Sequence, residues 1–162
     1  MFSLKNRVAV VTGASSGLGL QMARGFAEQG ADLVIMARRM DRLEAIAADF
    51  RAKGTRCLPI RCDVTSTEDV NKAAEAVIKE YGKVDILVNN AGAAKNAGVL
   101  DMTDEDWNFT MDADLTSVFK VTRAFANHMV EKKYGRIINI ASIYGQVGNT
   151  AMDTVAYHSS KG

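Results

Sequence analysis

Val8-Ala9-Val10-Val11-Thr12-Gly13-Ala14-Ser15-Ser16-Gly17-Leu18-Gly19 is the stretch on which the reading of this 162-residue chain turns. A β-branched apolar run, Val8–Thr12, passes without a linker into a turn with glycines at Gly-x3-Gly-x-Gly spacing, and then into a helical pattern over Gly17–Gln29. Continuous rather than alternating apolar character marks a strand buried on both faces, and such a strand running straight into a helix begins a parallel β-α-β unit. Glycines in the connecting turn let backbone N–H groups approach a ligand closely, and the positive end of the following helix favours an anion. A glycine-rich turn by itself also serves as a plain tight turn; the strand before it and the helix after it favour a phosphate cradle over Thr12–Gly19.

Working outward, four more apolar runs read as strands: Asp32–Ala37, Cys57–Cys62, Val84–Asn89 and Arg136–Ser142. Helical patterns alternate with them. In Gly17–Gln29, Leu18, Met22, Phe26 and Ala27 share a face and Gly30 supplies a stop. Arg42–Lys53 carries Leu43, Ile46, Ala47 and Phe50, and Gly54 follows it. The third helix opens on Thr65-Ser66-Thr67-Glu68, which reads as a capping box, and carries Val70, Ala74, Val77 and Ile78 before Gly82. A fourth, long helix starts near Thr103–Asp106 and runs through Trp107, Met111, Leu115, Val118 and Phe119 towards Lys133, with Gly135 ending it. The alternation predicts a doubly wound parallel α/β sheet, Rossmann-like, of strand order 3-2-1-4-5, with right-handed crossovers and helices on both faces. Pro59, the only proline, falls in the third strand, an edge of that order, where a missing N–H is tolerated best. No repeat or linker divides the chain, so residues 1–162 read as one domain.

Composition excludes several classes of function. Twenty Lys and Arg against nineteen Asp and Glu leave no field that would draw the chain onto nucleic acid or anionic lipid. Cys57 and Cys62 lack a second Cys or His pair at zinc spacing, so they read as buried small hydrophobes and no metal is expected. The N-terminus, Met1-Phe2-Ser3-Leu4-Lys5-Asn6-Arg7, lacks the pattern of a secretory leader, and no apolar run is long enough to span a bilayer; a soluble cytoplasmic protein is the expectation.

At the end of the second strand, where a fold preferring NAD usually places an acid for the ribose hydroxyls, stand Met36, Ala37, Arg38 and Arg39. A guanidinium there can pair with a 2′-phosphate, so NADP is expected with NAD as the alternative, and Arg38 is the better placed of the two arginines. Two arginines after a strand can equally form a solvated loop, and Asp41 stands close by.

These motifs together resemble the short-chain dehydrogenase/reductase family from the first strand to the last residue. Thr12–Gly19 is similar to that family's cofactor loop. Cys62-Asp63-Val64 is similar to its adenine contact, and Asn89-Asn90-Ala91-Gly92 to its fourth-strand signature. Ser142, Tyr157 and Lys161 are similar to its catalytic set. The resemblance implies an oxidoreductase with Gly13, Ser15, Ser16, Gly17, Leu18, Gly19, Arg38, Asp63, Val64, Asn90, Ala91, Gly92, Tyr157 and Lys161 at the cofactor, and a small carbonyl or alcohol as substrate. It also implies a homodimer or homotetramer.

The chemistry of the last three residues stands on its own. Tyr157 and Lys161 are four apart and share one face of a helix. A phenol in water titrates near 10, about 3 units above neutrality, a gap of roughly 4 kcal/mol. One cation about 4 Å away at an effective dielectric near 20 supplies energy of that order. Lys161, helped by the positive charge of an oxidised nicotinamide, therefore suffices in principle to make Tyr157 a general acid/base, while the Ser142 hydroxyl can hold the substrate oxygen. Tyr-x3-Lys also occurs on ordinary amphipathic helices, and it is the position after the cofactor motifs that favours catalysis.

Three features depart from the family pattern. Asp114 stands where the family usually carries an asparagine that completes the catalytic relay; the acid loses two donors and gains a charge, and it is expected to keep a structural role while altering proton transfer. The segment Ile143–Ala156, with Tyr144, Gln146, Met152 and Asp153, is expected to border the substrate, and it is similar to relatives acting on gluconate and to reductases of 3-oxoacyl-carrier-protein without separating sugar acid, polyol and 3-oxoacyl substrates. Gly162 directly follows Lys161, whereas the resemblance implies a further strand and helix, so the chain reads as C-terminally incomplete and fragile in isolation. A non-catalytic nucleotide-binding module is the alternative function. His128 and His158 are expected to be solvated or packing residues.

Overall fold

A computed structural model describes residues 3–148 and 151–162; Met1 and Phe2 of the N-terminal segment, and Asn149 and Thr150 of the segment Ile143–Ala156, lie outside the described residues. The strands are β1 (Val8–Thr12), β2 (Asp32–Ala37), β3 (Cys57–Arg61), β4 (Ile86–Asn89) and β5 (Arg136–Asn139). The helices are α1 (Gly17–Glu28), α2 (Met40–Ala52), α3 (Thr67–Tyr81), α4 (Asp104–Met111), α5 (Ser117–Glu131) and α6 (Val155–Lys161). All neighbouring strands run parallel in the order β3-β2-β1-β4-β5, so the expected doubly wound sheet is the one found. Pro59 pairs with Ile35 on the edge strand β3, where its missing N–H breaks no second ladder.

Every residue of β1 is buried, and the sheet separates two apolar layers. Val8, Val10, Val34, Met36 and Leu87 face Val70, Val77, Val121 and Phe125 of α3 and α5. Ala9, Val11, Leu33, Ile35 and Val88 face Ala23, Leu43, Ala47 and Phe50 of α1 and α2. Cys57 and Cys62 are free and buried, and burial pushes both thiols up to about 12, as small core residues rather than ligands.

Several local expectations are corrected. Leu18 is not part of the buried face of α1, which is built on Gly19 and Ala23; Leu18 is 70% exposed at the carboxyl end of the sheet. The cap is one residue further on and is not a reciprocal box: the Thr65 hydroxyl donates to Asp63, so Ser66 caps α3 and accepts from the Asp69 N–H, while the Ser66 N–H donates to the Asp63 carbonyl. Strands β3, β4 and β5 are shorter than the apolar runs that announced them.

The long fourth helix is interrupted. A π-helical turn over Asp112–Thr116 separates α4 from α5. The extra residue in that turn shifts the phase, so Leu115 and Phe119 point outward while Ala113, Asp114, Ser117, Val121 and Phe125 are buried. α5 then ends at Lys132 and Lys133, the latter at φ 52°, and Gly135 is not its stop.

At the amino end of the sheet Asp85 is buried. It accepts from the Val8 N–H at 2.9 Å and from Arg7 at 2.8 Å, with Lys83 Nζ at 3.0 Å. Burial alone would raise its carboxyl, but Val8, Arg7 and Lys83 outweigh burial and hold it below the ordinary carboxylate range. A carboxyl held low in the fold adds stability that is fully present above about pH 4 and is lost as pH falls through the folded value. Asp85→Ala leaves the Val8 donor buried without a partner, so urea unfolding at neutral pH should show a loss of about 1–3 kcal/mol. The gap from the parent protein should narrow when both are measured in acid.

Candidate active site at the carboxyl end of the sheet

Because all five strands are parallel, Thr12, Ala37, Arg61, Asn89 and Asn139 end at the same edge of the sheet. The segments that follow them therefore converge, and every candidate residue from the sequence lies on one of these segments or on the helices packed over them.

The glycine turn and the loop after β4 are built as one piece. The Thr12 hydroxyl donates to the Val88 carbonyl at 3.2 Å and accepts from the N–H groups of Asn90 at 2.9 Å and Ala91 at 3.0 Å. Asn90 Nδ2 donates back to the Thr12 carbonyl at 2.9 Å and the Gly13 carbonyl at 3.4 Å. Two glycines are required by this closeness. Gly13 sits at φ 67°, and a Cβ there would stand 2.8 Å from Asn90 Nδ2; a Cβ on Gly19 would meet the Gly13 carbonyl oxygen at 2.5 Å. Ser16 precedes α1 in extended conformation and its side chain does not cap the helix. Ser15 is joined to Arg39, whose guanidinium donates to its Oγ at 3.3 Å. Arg38 and Arg39 are both exposed.

Beyond β3, the Asp63 carboxylate accepts from the Thr65 hydroxyl at 2.7 Å and the Thr65 N–H at 3.0 Å. Partial burial would raise this carboxyl; the two Thr65 bonds, then the fields of Arg38 and Arg61, hold it below the usual range. Asp69 supports the same turn by accepting the Asp63 N–H at 3.1 Å. Val64 packs against the core layer under β3.

The second half of the site is α6. Lys161 Nζ donates to the Ile140 carbonyl just past β5 at 3.1 Å and lies 5.7 Å from the centre of the Tyr157 ring, one helical turn earlier. Asp114 approaches the same ammonium from the π-helical turn, with Oδ2 at 3.6 Å. Its Oδ1 accepts the Ala93 N–H at 2.8 Å, and a Cβ on Gly92 would meet that oxygen at 2.5 Å. Ser142 caps a short 3-10 turn over Ile143–Gly145, its Oγ accepting the Tyr144 N–H at 3.2 Å. No bond joins Ser142 directly to Tyr157 among the described residues. Tyr144 links them, its ring meeting Tyr157 edge-on at 6.2 Å and stacking on His158 at 4.9 Å. His158 Nδ1 lies 2.9 Å from the Thr154 hydroxyl, while His128 sits 3.7 Å from Glu131 on α5.

A family model described as short chain dehydrogenase matches residues 7–162. The chain belongs to the short-chain dehydrogenase family. It is 38% identical over 165 residues to an NADP-dependent mannitol dehydrogenase from Alternaria alternata, covering 99% of this chain and 62% of that protein. It is 34% identical over 162 residues to gluconate 5-dehydrogenase from Gluconobacter oxydans, covering all of this chain and 62% of the relative. A crystal structure of a short-chain type dehydrogenase/reductase from Mycobacterium marinum superposes with a TM-score of 0.95 at 37% identity, over 99% of this chain and 63% of that one. This member of the family thus spans about three fifths of the length of these relatives. No described helix is long and apolar enough to cross a membrane, and the described residues contain no cluster of His, Cys, Asp and Glu that could hold a metal.

Sequence reasoning missed the Thr12 clamp, the Ile140 carbonyl under Lys161, and the stack of His158 on Tyr144. Thr12 was legible as the residue before the turn, but its role depends on a strand 76 residues away. The stack joins segments whose sequence carries no periodic signal.

Proposed function

We propose that the protein is an oxidoreductase moving a hydride between NADP(H) and a secondary alcohol or the corresponding carbonyl. The observation that carries this reading is the placement of Lys161 on the Ile140 carbonyl at the carboxyl edge of the sheet, with Tyr157 one turn away on the same helix. NADP(H), when bound, supplies the hydride. Gly13 and Gly19 let the glycine turn lie directly against the loop after β4, and the uncapped start of α1, with Ser15, Ser16, Gly17 and Leu18, offers a pyrophosphate N–H donors and positive potential. Asp63 and Val64 border the adenine side, and Asn90, Ala91 and Gly92 form the wall between the two halves of the site. Lys161 holds ribose hydroxyls and favours the deprotonated phenol; Tyr157 gives or takes the proton at the substrate oxygen, and Ser142 holds that oxygen.

NADP preference is carried by Arg38 and Arg39 rather than by Arg38 alone. The Arg39 bond to Ser15 brings its guanidinium against the phosphate turn, while Arg38 is the arginine whose field reaches Asp63. Losing a charge-assisted hydrogen bond to a phosphate costs about 1.5–3 kcal/mol. Replacing both arginines by alanine should therefore weaken NADPH by at least about tenfold and leave NADH nearly unchanged, as read by fluorescence titration. Equal losses for the two nucleotides would assign the arginines to the solvated loop.

For substrate, the polar groups of Tyr144 and Gln146 favour a hydroxylated compound, a polyol or sugar acid, over a 3-oxoacyl chain, in keeping with the names of the mannitol and gluconate relatives. A panel of polyols, sugar acids and 3-oxoacyl thioesters assayed with NADPH and NADP tests this order. The outward Leu115 and Phe119 offer apolar surface to a homodimer or homotetramer, which we place in the cytoplasm.

A further inference from the structure

The Asp114 side chain is 1% exposed, and the Lys161 side chain 3.6 Å from it is 11% exposed. Two opposite charges this far out of water need one another, since either alone would face the full cost of desolvation. The two carboxylate oxygens divide their work. Oδ1 holds the loop after β4 through the Ala93 N–H, and Oδ2 is left for the ammonium, with the Ser160 hydroxyl at 3.5 Å. The π-helical turn is what brings Asp114 inward, because that turn carries the one extra residue separating the phase of α4 from that of α5.

We propose that Asp114 is a fixed counter-ion to Lys161 and thereby raises the pH at which Tyr157 gives up its proton. This rests on the reading of Tyr157 as the proton-moving group. An ammonium whose charge is partly offset favours a neighbouring phenolate less, so part of the advantage that Lys161 confers is withheld. Other titratable groups around Tyr157 are Tyr144 from the 3-10 turn and His158 and Lys161 on α6, while Asp153, which precedes α6, lies against Gly98. α4, which also packs on α6, carries Asp104, Glu105 and Asp106 in its first turn, with Lys95 at 3.9 Å from Asp106. Among the described residues, only Asp114 of these forms an ion pair with Lys161.

The experiment is a spectroscopic titration of the full-length protein without cofactor. The ultraviolet absorbance of phenolate is followed with pH in the protein and in its Tyr157→Phe variant, and the difference isolates Tyr157. The same pair is then measured with Asp114→Asn, whose side-chain oxygen can still accept the Ala93 N–H. The expected result is a midpoint about one pH unit lower with asparagine. A midpoint that stays in place or rises overturns the proposal. Circular dichroism checks the fold, and if Asp114→Asn does not fold, Asp114→Ser is judged by the same criterion. The pH profile of kcat/KM should move in the same direction. Because the titration needs no turnover, the counter-ion role and the oxidoreductase reading fail separately.

Discussion

Tyr157→Phe should lower kcat by roughly 10²–10⁴-fold, the range that a positioned general acid or base contributes, while NADPH affinity changes far less. The substitution removes one oxygen and keeps the ring, so the edge-on packing on Tyr144 and the helical turn to Lys161 are retained. A structural tyrosine would behave otherwise: its loss would appear in thermal unfolding and in nucleotide binding before it appeared in kcat. The measurement is steady-state turnover of the full-length protein on its best alcohol or carbonyl, alongside nucleotide titration. Turnover within about tenfold of the parent would move the proton transfer to another group, because so small a barrier change, about 1.4 kcal/mol, is not what loss of the reacting acid produces.

The second large effect is expected at Gly19. An alanine Cβ there would lie 2.5 Å from the Gly13 carbonyl oxygen and 2.5 Å from Asn90 Nδ2. Neither neighbour is a flexible chain end. One is backbone, and the other is an amide already committed to the Thr12 carbonyl at 2.9 Å. Relief of the overlap must therefore open the contact between the glycine turn and the loop after β4. Gly19→Ala should cost about 1–3 kcal/mol in stability as an overpacked site. It should also weaken dinucleotide binding by at least about tenfold, since N–H donors to the phosphate are displaced with the turn. Gly25→Ala on the same helix is the control: nothing lies within 4 Å of its added Cβ, so the helix should gain up to about 1 kcal/mol and binding should not change. Equal behaviour of the two variants would remove the steric argument.

Much of this was legible in the sequence, and the boundary of what was not has physical causes. The sheet order could be read because each strand is a continuous apolar run followed by a helix with a regular stripe, and such signals are local. The positions of Thr12–Gly19, Asp63, Asn90, Tyr157 and Lys161 could be read because each sits just past a strand or on one helical face. The π-helical turn could not, since Asp112–Thr116 has the composition of any helix and only the burial of Ala113, Asp114 and Ser117 betrays the phase change. The cap of α3 was misplaced by one residue because Thr65 and Ser66 are equally good caps until Asp63 claims the Thr65 hydroxyl. The weight given to Arg38 over Arg39 missed the bond to Ser15, which depends on how two loops from different strands approach.

The Thr12 hydroxyl has a consequence for the thermodynamics of ligand capture. With one proton given and two accepted, that oxygen uses its whole hydrogen-bonding capacity inside the protein. The turn before α1 and the segment Asn90–Ala91 are thereby frozen together when the chain folds. A ligand that docks on their joined surface meets a turn and a loop already fixed to one another, so little conformational entropy is surrendered there at the moment of binding.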